Sequence, residues 1–232
     1  SFELLGEGKK LAKKLGSKLC AVILGSGIEA KIEELSSRGA DKIYIVDAPE
    51  LKFYQDDPYT NVLVKLVEEY KPEIILCGAT TIGRSMISKV AITIDAGLTA
   101  DCTGLDIDDK EKLLLQTRPA FGGNIMATII TPNHRPQMAT VRHKVMKEAD
   151  IHKSHKAEVV RKSYPAEVVK SRTNLIDVVE EIEETINLAE ADIIVSGGRG
   201  VGSKENFSMI KDLAKVIRSE ERRVGKECTI QC

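Results

Sequence analysis

The sequence has no tryptophan, and aromatic residues are only 4% of its 232. That leaves little material for the stacking platforms that grip single-stranded nucleic acid. It also lacks an excess charge of either sign. Lys and Arg number 34 against 35 Asp and Glu, so no global basic field draws the chain to nucleic acid. No apolar run approaches the roughly 20 residues of a membrane span, and the opening residues carry no secretory-signal pattern. The reading is therefore no nucleic-acid partner and no stable membrane insertion. Cysteine is sparse and scattered, at Cys20, Cys77, Cys102, Cys228 and Cys232, and no Cys-x-x-Cys occurs to suggest a metal or redox motif. Cys20 and Cys77 are expected as small buried hydrophobes inside strands, and free thiols suit a reducing cytoplasm. What is present, 42% hydrophobic and 30% charged residues, is the balance of a globular protein with enough apolar material for a core.

The first hundred residues alternate helix and strand. "FELLGEGKKLAKKLG" carries Leu4, Leu5, Leu11 and Leu15 among lysines and stops at Gly16. "LCAVILG", "DKIYIVD" and "PEIILCGA" are short apolar runs suited to buried strands. Between them "EAKIEELSSRGA" and "PYTNVLVKLVEEYK" read as helices, the second with Pro58 in its first turn. "GRSMISKVAITIDAG" reads as a further helix, closed by Gly97. This order predicts a parallel sheet with crossover helices. After Gly97, "TADCTGLDID", "KLLLQTRPAF", "NIMATIITP" and "PQMATVRH" are strand-like and separated by turns, including Gly122-Gly123, a hairpin signal. The expected fold class is mixed α/β: a mostly parallel sheet with helices on both faces and an antiparallel extension, then the start of a second α/β unit. Residues 143–163 are polar and hold His143, His152 and His155; lacking carboxylate or Cys partners, they read as a solvated connection, not a metal site. "NLIDVVEEIEET" fits strand or helix equally.

Two glycine loops follow apolar runs. In "ADIIVSGGRGVGSKENF", Ala191 to Phe207, a strand would feed a loop and a helix N-terminus, an anion site in principle. Ser203 is the expected N-cap, and Phe207, Ile210, Leu213 and Ile217 the apolar stripe. Its spacing, Gly198-x-Gly200-x-Gly202, is neither the dinucleotide fingerprint nor a Walker loop. Glu205 in the first helical turn would oppose a phosphate, while Arg199 and Lys204 compensate. On residues alone, turn and site remain open here. "GSGIEA", Gly25 to Ala30, matches G-x-G-x-x-A, with Asp47 the nearest acidic residue, and reads better as a plain turn. No Ser/Cys–His pairing or carboxylate pair stands at useful spacing, so no catalytic set is assigned.

Several stretches together resemble the alpha subunit of electron transfer flavoproteins: "GADKIYIVD" at 39–47, "ILCGATTIGRS" at 75–85, "AGLTADCTGLDID" at 96–108, "TRPAFGGNIMATIITPNHRPQMATVR" at 117–142, and "ADIIVSGGRGVGSKENF" at 191–207. The resemblance implies a first α/β domain that binds no cofactor and packs on a beta subunit, and a second domain that cradles FAD. It implies an electron carrier in a bacterial cytoplasm, passing electrons from dehydrogenases, typically acting on acyl-CoA, to a downstream acceptor. Arg199, between Gly198 and Gly200, falls at the family's first FAD-contacting arginine. "RPAFGGNIMATI" is similar to versions in anaerobic bacteria, some of which serve flavin-based electron bifurcation within oxidoreductase complexes. The alternative is a stand-alone nucleotide-binding regulatory module.

The same resemblance sets expectations for the ends. Residues 1–190 would form the first domain, without a strand that family members place ahead of the first helix, leaving an unpaired edge. Residues 191–217 would open the FAD domain. "RSEERRVGKEC", Arg218 to Cys228, resembles a translated sequencing adapter, and residues 218–232 are expected to be non-native. So cut, the chain is not expected to retain FAD. A further departure is "VRHKVM" at 141–146 where the family has "VRPGVM", which puts that turn's geometry in question.

Overall fold

A computed structural model describes residues 2–120, 125–178 and 193–217. The chain divides into two units, Ser1–Asn174 and Leu175–Cys232. The tail at 218–232 lies outside the described residues.

The first unit is mixed α/β. Helix α1 (Phe2–Leu15) leads through Gly16, at φ +67°, into β1 (Cys20–Gly25). Then come α2 (Lys31–Ser37), β2 (Lys42–Asp47), α3 (Asp56–Tyr70), β3 (Ile74–Gly78) and α4 (Thr81–Thr93). Strands β4 (Leu98–Cys102), β5 (Gly104–Ile107), β6 (Leu114–Ala120), β7 (Ile125–Ile129) and β8 (Gln137–Val141) follow. The unit closes with β9 (Glu158–Arg161) and the short α5 (Ala166–Val169).

Three three-stranded sheets result: β1-β2-β9, β3-β8-β4 and β5-β6-β7. The first two are parallel throughout and the third is antiparallel. Helices cover both faces of the parallel sheets. On β3, Ile74 and Leu76 pack with Leu11 of α1, while Ile75 and Cys77 pack with Val64 of α3 and Ile87 and Val90 of α4. On β2, Ile43 joins Leu5 of α1, and Tyr44 and Val46 join Val62 and Leu66 of α3. The alternation of strand side chains sends every second residue to each helical layer. Thus α1 and α3 each span both parallel sheets. No ladder hydrogen bond joins β1 to β3 among the described residues, and each pairs on one side only.

Several expectations are corrected. "PQMATVRH" is not part of the antiparallel run: β8 returns to lie parallel between β3 and β4. Turn residues at 131–136 link β7 to β8, and nothing local distinguishes that link from a hairpin. The antiparallel strands form their own sheet, because β4 ends at Cys102 and β5 restarts at Gly104. Helix α4 is not closed by Gly97. It begins where the Thr80 hydroxyl accepts the Gly83 N–H at 3.0 Å, and ends at Thr93, with Asp95 in the left-handed region at φ +54°. Cys20 is exposed and Cys77 only half-buried, since β1 and β3 lack a neighbour on one side. Residues 143–163 are not merely a solvated connection. They contribute β9, and the His152 and His155 N–H groups donate to Ser37 O at 2.6 Å and His152 O at 3.0 Å.

The turn at 141–146 keeps a left-handed residue despite its changed sequence. Lys144 sits at φ +58°, and the Glu3 carboxylate accepts the N–H groups of Lys144, Val145 and Met146 at 2.8, 3.1 and 3.0 Å. A side chain at that φ is strained, so Lys144→Gly is expected to stabilise the first unit by about 0.5–1 kcal/mol. The check is an upward shift of the urea midpoint at unchanged m-value.

In the second unit a short 3-10 turn, Arg199–Val201, precedes α6 (Phe207–Val216). Residues 193–198 form no paired strand, against expectation. Residues 174–178 are in neither helix nor strand; the rest of "NLIDVVEEIEET" lies outside the described residues.

Candidate functional site

The two glycine loops differ in what already fills them. After β1, the N–H groups of Gly27 and Ile28 donate to the Asp47 carboxylate at 2.9 and 3.1 Å. Asp47 ends β2, whose register beside β1 places it opposite Gly25. The donors a phosphate would need are therefore held by a carboxylate of the same chain, and an incoming anion would meet its repulsion. Beside the loop, Glu29 forms a two-pronged ion pair with Arg161, both contacts at 2.9 Å. The Gly25 loop is a structural turn.

The loop at 197–206 is arranged otherwise. A Cβ on Gly197 would stand 3.0 Å from Val201 and 3.3 Å from both Phe207 and Ile210, so the loop folds tightly onto the apolar face of α6. At Gly198 and Gly200 a Cβ would meet nothing within 4 Å. The N–H groups of Gly198 and Gly200 find no acceptor among the described residues, while Gly202 follows the 3-10 turn at φ +81°. Side-chain-free, donor-rich backbone of this kind lets an anion approach closely. The loop suits a phosphate such as those of FAD.

The helix end contributes less than the sequence suggested. Ser203 is not the N-cap; Asn206 stands there without a side-chain cap, and its amide donates to Val201 O at 2.9 Å. The N–H groups of Phe207, Ser208 and Met209 are taken by the carbonyls of Lys204, Glu205 and Asn206, so the first-turn donors are spent. Glu205 lies ahead of α6 and its carboxylate accepts the Ser203 hydroxyl at 3.1 Å. The inward stripe is the half-buried Phe207 and Ile210 with the buried Ala214; Leu213 and Ile217 are exposed. Arg199 has its backbone in the 3-10 turn directly between the open glycines; its side chain lies outside the described residues.

Among the described residues no group of three His, Cys, Asp or Glu could hold a metal ion. His155 Nε2 is instead 2.9 Å from Ala40 O. No described helix is long and apolar enough to cross a membrane.

Residues 1–167 match the model of the electron transfer flavoprotein domain, and residues 187–222 that of the electron transfer flavoprotein FAD-binding domain. This chain belongs to the electron transfer flavoprotein family. It is 48% identical over 217 residues to the electron transfer flavoprotein subunit alpha of Thermoanaerobacterium thermosaccharolyticum, covering 94% of this chain and 66% of the relative. It is 44% identical over 219 residues to the Clostridium acetobutylicum subunit alpha, covering 94% and 65%. A family member from Acetobacterium woodii, lactate dehydrogenase (NAD(+),ferredoxin) subunit LctC, is 41% identical over 217 residues, covering 94% and 51%. The chain thus spans just under two thirds of the length of the first relatives it matches. The family recognised from the sequence stretches is the one found, and the FAD-binding match contains the open glycine loop.

Proposed function

We propose that this chain acts as the alpha subunit of an electron transfer flavoprotein, an electron carrier with no catalytic residues of its own. The observation that supports it is the tandem match, the family's electron transfer domain followed by its FAD-binding domain. Residues 1–190 serve as the first domain and 191–217 open the second. Gly198 and Gly200 offer backbone N–H groups to an FAD phosphate, and Arg199 supplies the positive charge beside them. FAD, when bound, takes up and releases the electrons. The partners are a beta subunit and an electron-donating dehydrogenase, in a bacterial cytoplasm.

The test uses the full-length alpha subunit with its beta partner. The heterodimer should keep a flavin absorbance band through desalting, and Arg199→Ala should weaken flavin retention about tenfold, the loss of one charge-assisted contact. The 232-residue chain alone should lose the band. ATP binding without any flavin would favour the nucleotide-binding module instead.

Bifurcation is favoured by the anaerobe-like "RPAFGGNIMATI" and by the Acetobacterium woodii relative, whose name joins lactate dehydrogenase to NAD(+) and ferredoxin. A beta partner holding AMP in place of a second FAD would exclude it.

A further inference from the structure

The first unit ends at Asn174, and its last fixed residue is Arg172. Ahead of it, Val169 of α5 is buried with Val62 and Leu66 of α3, and the Asn61 amide donates to Val168 O at 3.2 Å. Lys170 is exposed, and Ser171 and Thr173 close a small hydroxyl turn on each other at 3.0 Å. Between them Arg172 reaches Asp57 in the first turn of α3. Its Nε donates to Oδ2 at 2.8 Å, its Nη2 to Oδ1 at 2.9 Å, and its own backbone N–H to Oδ2 at 3.1 Å. Lys89 of α4 grips the same carboxylate from the other side.

The two partners are unequally placed. The Asp57 side chain is only 13% exposed, whereas that of Arg172 is 83% exposed. A well-covered carboxylate, oriented by Lys89 and favoured at a helix N-terminus, thus holds an arginine that otherwise stands in solvent. Among the described residues no other side-chain hydrogen bond or ion pair fixes residues 170–174 to the first unit, and Leu175, Ile176 and Val178, which follow, are all exposed.

We propose that Asp57 and Arg172 form a clasp that sets where the chain is released from the first unit. Closed, the clasp holds the chain to α3 as far as Arg172. Open, the chain is released after Val169, and the three residues set free extend over roughly 10 Å at about 3.4 Å per residue. Asp57 is the positioning residue, Arg172 the one released.

Trypsin reads this directly in the full chain, because the bond after Lys170 lies within the clasped segment. Asp57→Asn removes the charge and should speed cleavage after Lys170 at least fivefold, with sites in α1 to α4 unchanged. Arg172→Gln, which leaves Asp57 and Lys89 paired, should give the same increase at Lys170. Hydrogen exchange should show the Arg172 amide losing about tenfold protection in Asp57→Asn. Unchanged cleavage after Lys170 in both variants would overturn the proposal. So would acceleration spread evenly over the first unit in both, which would make the pair a general support of α3 instead.

Discussion

Gly83→Ala should lower the thermal midpoint of the first unit by roughly 6–12 °C, equivalent to about 3 kcal/mol for a unit of this size. Gly83 lies in the first turn of α4, where the chain doubles back from the end of β3. A Cβ there would stand 2.1 Å from Gly78 O, with Cys77 Sγ and Thr80 Oγ1 at 3.1 Å. The obstacle is backbone at the end of a paired strand, so it cannot swing aside as a side chain tip could. Relief would have to come from shifting α4, whose Ile87, Val90 and Ala91 are buried against β3 and β8, or from losing the Thr80 cap on Gly83 N–H. Gly78→Ala is the internal control, since a Cβ at Gly78 meets nothing within 4 Å. It should change the midpoint by no more than a degree or two. Equal melting of the two variants would show that the turn at 78–83 has slack the close contact denies.

Glu3→Gln is the second large effect, and it depends on pH. Burial alone would raise the Glu3 pKa, but the N–H groups of Lys144, Met146 and Val145 together bring it below the ordinary carboxylate value. A depressed folded pKa contributes stability that is present above the unfolded value and is lost as pH falls through the folded one. The wild type should therefore exceed Glu3→Gln by on the order of 2 kcal/mol near pH 7, a figure discounted for the solvent that screens a half-buried group. The difference should begin to shrink below about pH 4.5, where the unfolded-state carboxylate takes up its proton, and should be lost as pH falls through the lower folded value. Urea melts at paired pH values measure it. A gap between the two proteins that stays constant from neutral to acid pH would mean the charge itself does little.

How far such features could be read beforehand depends on whether their cause is local. The strand "KIYIVD" is legible because a continuous apolar run between turns has few other uses, and in the structure Ile43 to Val46 are all buried. Gly16 at φ +67° ends α1 where a C-terminal glycine should. Both ends of helix α4 differ from the sequence pattern for local but degenerate reasons. Thr80 could cap three residues ahead of Gly83, and Asp95 could take the left-handed role that Gly97 advertises. The placement of β8 is a tertiary matter: Met138 and Ala139 alternate between two helical layers, and no spacing in "PQMATV" says which strands will flank it. The candidate site divides the same way. The open glycines at 198 and 200 follow from composition. The capture of the Gly27 and Ile28 N–H groups by Asp47 follows from the register of β1 on β2, which only the folded sheet displays.

The one-sided pairing of β1 and β3 bears on how the first unit opens. A continuous sheet transmits order from strand to strand through its ladder, and amide exchange then reports one cooperative event. Here that transmission is interrupted, and the side chains of α1 and α3 are what pack against both halves, β1-β2-β9 and β3-β8-β4. Each half can thus behave as its own exchange unit, with amides of β8, bonded on both sides, outlasting those of β1 and β3. The two helices are the hinge pins of that arrangement, so loosening either would uncouple slow exchange in one half from slow exchange in the other.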